Sequence, residues 1–225
     1  MARTAKNTEA TKPKAIIFDW DNTLVDSWVV IHDALNATLD DWGMEKWTIE
    51  ETKSRVAHSM RDSFPLLFGD DWERAGKVFY DHFEKTHLDR LTPLANAENV
   101  LGELFEMGIH MAIVSNKTGR LLRLEVEHLG WNKIFKNVVG SLDAANDKPA
   151  PDPVILALQG SGIKTGNHDV WFVGDAVIDM QCAKNSGCFG VLVDKNPPKI
   201  AEFGDFMPDF HTNELSGLPN LAKTL

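Results

Sequence analysis

Two pairs of aspartates carry the first chemical signal in this sequence. Asp19 and Asp21 stand two apart in D-W-D-N-T, and Asp175 and Asp179 stand four apart in G-D-A-V-I-D. Residues two apart near a strand end point to one side, and residues four apart at a helix start share a face. Two anions held together are costly unless a cation or a proton is shared between them. If the pairs meet, four carboxylates surround one volume, and that donor set suits a hard divalent ion with oxygen ligands, magnesium above all. Taken singly, each aspartate also reads as a helix cap or a turn residue, roles that Asp favours.

Cations and a hydroxyl accompany the acids. Lys148 lies in K-P-A-P-D-P, where Pro149, Pro151 and Pro153 stiffen its loop, as a fixed position requires. It is a candidate to hold a phosphate or an ionised nucleophile. Lys117 is a second candidate, although as a lone loop lysine it reads as solvated. Ser115 can offer its hydroxyl to a phosphoryl oxygen, and Thr118 and Gly119 beside it introduce a helix whose free N–H groups suit an anion. No G-x-S-x-G elbow surrounds Ser115, and neither a P-loop nor G-x-G-x-x-G is present, which disfavours nucleotide cofactors. The eight histidines show no metal-ligand spacing, and His82 and His87 read as surface or packing residues.

These groups need elements to hold them. Lys14–Phe18 is an apolar run ending at Asp19, Ile109–Val114 ends at Ser115-Asn116-Lys117, and Val170–Val173 ends at Gly174-Asp175; each reads as a buried strand. Val138-Val139 and Phe189–Val193 read as two more. Helices are expected over Glu98–Met107, Arg120–Leu129, Pro153–Gln159 and Ala176–Ser186, with Gly108, Gly130 and Gly187 just past three of their ends. Alternation of this kind means an α/β fold with a doubly wound parallel sheet, in which ligands bind beyond the carboxyl ends of the strands. Three strands thus deliver polar residues to one edge.

The stretch of about 26–92 differs. Trp28, Ile31, Leu35, Leu39 and Trp42 recur at helical spacing, Thr48 and Glu51 form a capping box, and Asp70 or Asp71 can cap a helix carrying Trp72, Val78, Phe79 and Phe83. It is expected to be helical throughout, a cap inserted after the first strand. The expected division is a flexible tail over 1–13, a core from 14–25 and 93–225, and a cap over 26–92.

Bulk properties narrow the function classes. The chain has 225 residues, 43% hydrophobic and 25% charged, which suits one core domain with a smaller insertion. A net charge of −10 with no basic run argues against a nucleic-acid surface. No apolar run reaches the ~18–20 residues that span a bilayer. Met1–Lys14 is polar and weakly basic, so the expected location is cytoplasmic, with a mitochondrial-type address as the alternative. The two cysteines, Cys182 and Cys188, read as buried small apolar residues.

Together, D19-W-D-N-T-L-V-D, S115-N-K, K148-P and G174-D-x-x-x-D179 resemble the four motifs of the haloacid dehalogenase superfamily, in order, across Lys14 to Val193. Within it, KPAPDPVILAL and SNK resemble the phosphoglycolate phosphatase branch. The resemblance implies a Rossmannoid core with a helical cap, and a Mg2+-dependent phosphatase acting on a small phosphorylated metabolite as monomer or homodimer. It makes Asp19 the nucleophile and Asp21 the general acid/base. Thr23, Ser115 and Asn116 would bind the phosphoryl group, and Lys148 would pair with Asp19 and the phosphate. The metal would be held by Asp19, the carbonyl of Asp21 and Asp175, supported by Asp179. The dehalogenases lack an acid at the Asp21 position, so dehalogenation is disfavoured. Asn22 stands where Gly is more frequent, and Ala176-Val177-Ile178 is more apolar than usual. In the cap, Ala57–Asp62 is the candidate specificity loop, with Arg61 able to pair with a substrate carboxylate or second phosphate. A sugar-phosphate phosphomutase, a pyrophosphatase or a nucleotidase would use the same site, and a non-catalytic interaction protein would keep the fold.

Overall fold

In the computed structural model the described residues are 12–55, 60–166 and 168–224, with side chains described outside 60–62. The first strand, β1 (Ala15–Phe18), is AIIF, and all four residues are fully buried. The chain then makes a short strand β2 (Val25–Asp26) and four helices: α1 (Trp28–Asp41), α2 (Ile49–Arg55), α3 (Met60–Phe68) and α4 (Trp72–Thr86). A short strand β3 (Thr92–Pro93) returns antiparallel to β2. The stretch expected to be helical throughout therefore has a two-stranded ribbon at its ends, too short to show any alternation in sequence.

From there helix and strand alternate. The order is α5 (Ala97–Glu106), β4 (His110–Thr118), α6 (Gly119–His128), β5 (Asn137–Ser141), α7 (Asp152–Ala157), β6 (Val170–Gly174), α8 (Val177–Ser186) and β7 (Phe189–Val193). The chain ends with α9 (Ile200–Phe203), β8 (Phe210–Thr212) and α10 (Leu218–Thr224). The sheet runs β5-β4-β1-β6-β7-β8 with every pairing parallel, and β1 is central between β4 and β6. The doubly wound parallel sheet read from the sequence is thus present.

Side-chain alternation divides the core between the faces of the sheet. Ile16, Phe18, Met111, Ile113, Trp171 and Val173 pack with residues of α5, α6 and α10, whereas Ala15, Ile17, Ala112, Val114, Val170 and Phe172 pack with residues of α7 and α8. Burial on both sides is why these strands are apolar at every position. Cys182 and Cys188 are free and buried in the second face, and burial pushes both thiols up to about 12.

Local signals held in part. Glu51 accepts the N–H of Thr48 at 2.8 Å while Thr48 accepts that of Glu51 at 3.2 Å, the capping box expected at α2. Gly187 terminates α8 with φ +70°, a left-handed position that a Cβ disfavours. The expected carboxylate cap at Asp70 or Asp71 does not form: a 3-10 turn over Gly69–Asp71 leads into α4, and Asp71 makes no side-chain cap bond. A tight turn already satisfies part of the helix start. Strand β4 runs past Val114 through Ser115-Asn116-Lys117, with an irregular register between Val114 and Thr118. Among the described residues, no helix is long and apolar enough to cross a membrane.

Candidate active site

The carboxyl ends of β1, β4 and β6 lie side by side, and the polar residues that follow them meet there. Because β1 and β6 are in register through Phe18 and Val173, Asp19 and Gly174-Asp175 emerge next to each other, and the Asp19 N–H donates to the Val173 carbonyl at 2.8 Å. Asp179 enters from the first turn of α8. One oxygen of its carboxylate accepts the Ala176 N–H at 3.0 Å, so the residue also fastens the start of its helix. Gly174 makes room for it: a Cβ there would lie 2.4 Å from the Asp179 carboxyl carbon.

Lys148 closes the group. Its ammonium donates to Asp19 at 2.5 Å and to Asp179 at 2.8 Å, and its side chain is 3% exposed. The loop is held by Asn116, whose side-chain amide donates to the Lys148 carbonyl at 3.1 Å and accepts the Lys148 N–H at 3.0 Å. The Asn116 amide, read as phosphate-binding, is thus committed to the lysine backbone. Thr23, fully buried, donates to Asp175 at 3.0 Å and lies 3.4 Å from Asp19. Ser115 is buried, and its oxygen accepts the Lys117 N–H at 3.2 Å, a bond that leaves its own O–H proton unused.

One oxygen from each of Asp19, Asp175 and Asp179 lies within 4.8 Å of the other two. Electrostatics shows the crowding. Burial pushes Asp19 up, Lys148 opposes it, Asp179 and Asp21 add to it, and the result is about 7. Burial raises Asp175 as well, with Asp179 and Asp19 in the same direction. Lys148 is shifted upward because its two carboxylate partners outweigh burial. Three acids with one lysine leave an excess of negative charge, and an all-oxygen donor set of this spacing fits a hard divalent cation.

Asp21 corrects the expectation of four clustered carboxylates. Its side chain accepts the Lys117 ammonium at 2.7 Å and the Ser27 hydroxyl and is not one of the three grouped acids, although its charge still reaches Asp19. Strand β1 has already ended at Phe18, so the two-residue alternation no longer dictates where Asp21 points. Asn22, where the chain turns, has φ +61°, a left-handed conformation that Asn tolerates better than most residues, which accounts for Asn or Gly at this place. Lys117, expected to be solvated, is 8% exposed and paired on two sides, with Asp21 and with Glu125 at 2.6 Å. Burial would lower its pKa, but the two carboxylates prevail and raise it. His87 is buried and donates its Nδ1–H to Glu125 at 2.7 Å. Glu125 was missed from the sequence; the available signal was an acid on the buried stripe of α6, among Leu121, Leu122 and Val126. Residues 57–59 of the candidate specificity loop lie outside the described residues, and so does the side chain of Arg61.

Comparison with known proteins adds to this geometry. Residues 16–193 match the family described as haloacid dehalogenase-like hydrolase. A phosphoglycolate phosphatase of Neisseria meningitidis is 30% identical over 190 residues, covering 80% of this chain and 80% of that protein. The pyrophosphatase PpaX of Listeria innocua is 26% identical, covering 94% and 97%. In fold, the chain matches the solved structure of a haloacid dehalogenase-like family hydrolase from Streptococcus pneumoniae with a TM-score of 0.81 at 21% identity, covering 95% and 99%.

Proposed function

Since the chain belongs to the haloacid dehalogenase-like hydrolases, we propose that it is a Mg2+-dependent phosphatase that cleaves a small phosphate monoester through a phosphoaspartate at Asp19, with 2-phosphoglycolate as the leading substrate. The observation that carries this reading is the buried ammonium of Lys148 bridging Asp19 and Asp179, with Asp175 in the same cluster. A carboxylate attacks a phosphoryl group only where the charge of both is partly neutralised. Lys148 supplies one positive charge at the attacking oxygen. Magnesium, held by Asp19, the Asp21 carbonyl and Asp175 with Asp179 in support, would supply the rest when bound.

In the first half-reaction a carboxylate oxygen of Asp19 forms a bond to phosphorus as the bond to the leaving oxygen breaks. Asp21 gives that oxygen a proton. In the second, Asp21 takes a proton from water, which attacks phosphorus and frees Asp19 and inorganic phosphate. Ser115 and Thr23 orient the phosphoryl oxygens, while Asn116 keeps Lys148 in place. The helices α1–α4 form the cap over this edge, with the domain division 14–25 and 93–225 for the core and 26–92 for the cap, and Arg61 as the contact to the substrate's far end.

Pyrophosphate is the second reading, because a pyrophosphatase is also among the relatives. A panel of phosphate esters with 2-phosphoglycolate and pyrophosphate, assayed with magnesium and with chelator, tests both. Asp19→Asn is expected to lower every rate to background. Turnover retained in that variant, or unchanged by chelator, would refute the mechanism.

A further inference from the structure

A second buried cluster lies on the far side of Asp21, and the reaction as derived does not use it. At its centre is Glu125, whose side chain is 1% exposed on the apolar stripe of α6. Its two oxygens accept three hydrogen bonds: from His87 Nδ1 at 2.7 Å, from Lys117 Nζ at 2.6 Å and from Trp20 Nε1 at 2.6 Å. Lys117 passes the link to Asp21 at 2.7 Å, and Ser27 donates to the same Asp21 oxygen.

Asp21 already has the buried Lys117 ammonium as a partner without Glu125. A further carboxylate taken out of water carries a desolvation cost, which hydrogen bonds offset only when its geometry is filled. The arrangement does supply a fixed position. Lysine has a flexible four-carbon stem and a rotatable ammonium, so a single partner leaves it free to swing. Carboxylates on two sides remove that freedom, and the Phe83 ring, with its centroid 5.3 Å from Nζ, bounds the pocket. His87 stacks on Phe83 with centroids 5.2 Å apart, so the returning end of α4 contributes two of the walls. Trp20, adjacent to Asp21 in the chain, is tied to the same carboxylate.

We propose that Glu125 is a positioning residue for the reaction: through Lys117 and Trp20 it fixes the orientation of the Asp21 carboxylate toward the leaving oxygen, and through His87 it makes that orientation depend on how α4 is seated. This inference rests on the proposed function, in which Asp21 serves the leaving group. A side chain that acts through Asp21 matters most where the departing oxygen needs a proton. An alkoxide needs it, whereas p-nitrophenolate departs without one.

The experiment compares the first-turnover release of alcohol from an alkyl phosphate ester with that of p-nitrophenol from its phosphate ester, in the full-length protein with magnesium. Glu125→Gln, nearly isosteric, is expected to slow alkyl release by about 100-fold, within the range that general acid catalysis contributes. Release of p-nitrophenol falls less than about threefold, and KM stays within a similar factor for both esters, because the residues that neutralise the phosphoryl group are untouched. Lys117→Met is expected to give the same leaving-group signature, and the double variant no further loss. Equal losses for the two esters in either variant, or an additive double variant, overturn the inference. If Glu125→Gln does not fold, as judged by circular dichroism, Glu125→Asp, which keeps the charge but withdraws it from Lys117 and Trp20, is read in its place against the same two esters, and equal losses there overturn the inference. Failure of the wild type to show magnesium-dependent turnover would instead remove the phosphatase reading, and this inference with it.

Discussion

Replacing Lys148 with Met isolates the charge at the centre of the site, because Met keeps the length of the stem and its end meets the Phe172 ring, whose centroid lies 5.8 Å from the ammonium. At an effective dielectric near 20, a charge 2.5 Å from Asp19 and 2.8 Å from Asp179 gains on the order of 6 kcal/mol from each before desolvation. Desolvation cancels much of that, and breaking one side of a buried ion pair costs about 3–5 kcal/mol net. The three carboxylates left behind lie within 4.8 Å of one another, where two like charges repel by roughly 3.5 kcal/mol at the same dielectric. Asp19, already at about 7, is pushed higher and takes up a proton near neutrality. Lys148 has its pKa raised in the folded protein. Its contribution is therefore fully present below the unfolded value of about 10.4, neutral pH included, and is lost only as pH rises through the folded value. The expected result in chelator at pH 7.5 is a Tm lower by about 6–20 °C, taking about 2–4 °C per kcal/mol for a chain of this size. Magnesium restores more of the variant's Tm than it adds to the wild type, since the cation replaces the missing charge. Differential scanning calorimetry with and without the metal reads both effects. A drop below about 3 °C in chelator, with equal magnesium shifts in the two proteins, would refute the electrostatic account.

Gly174→Ala places a Cβ 2.4 Å from the Asp179 carboxyl carbon, against a residue that is 1% exposed and bonded to Lys148 and to the Ala176 N–H. Asp179 must leave its position, so isothermal titration should show magnesium affinity reduced by about 10–100-fold, as for loss of a supporting partner at a metal site; unchanged affinity would count against the role given to Asp179. Magnesium binding should also depend on pH. Asp19 must be ionised to act as a ligand, and its carboxyl sits at about 7 in the metal-free protein. Affinity is expected to level off at alkaline pH and to fall at least about tenfold per pH unit well below 7, where protons on Asp19 and on the likewise raised Asp175 compete with the metal. A flat profile between pH 5 and 8 would show that Asp19 is not a ligand.

The chain alone determined the parallel sheet and its edge chemistry. Runs such as AIIF and VWFVG are apolar at every position because both faces of the sheet are covered, and each is followed at once by the acid it presents. Lys148 could be picked out because prolines stiffen its loop, and Asp19, Asp175, Asp179 and Lys148 do come together. The direction of the Asp21 side chain could not be read, because β1 ends before it and the turn at Asn22 reorients the backbone. The setting of Lys117 was equally hidden: its solvated or buried state depends on Glu125 and on Phe83 and His87, brought from α4. Trp20 and Glu125 are 105 residues apart, and β2 and β3 are two residues long. Periodicity reports how a segment meets a surface, but not which polar group a fold delivers to that surface from elsewhere in the chain. Such pairings form only when packing removes water and brings the partners within hydrogen-bonding distance.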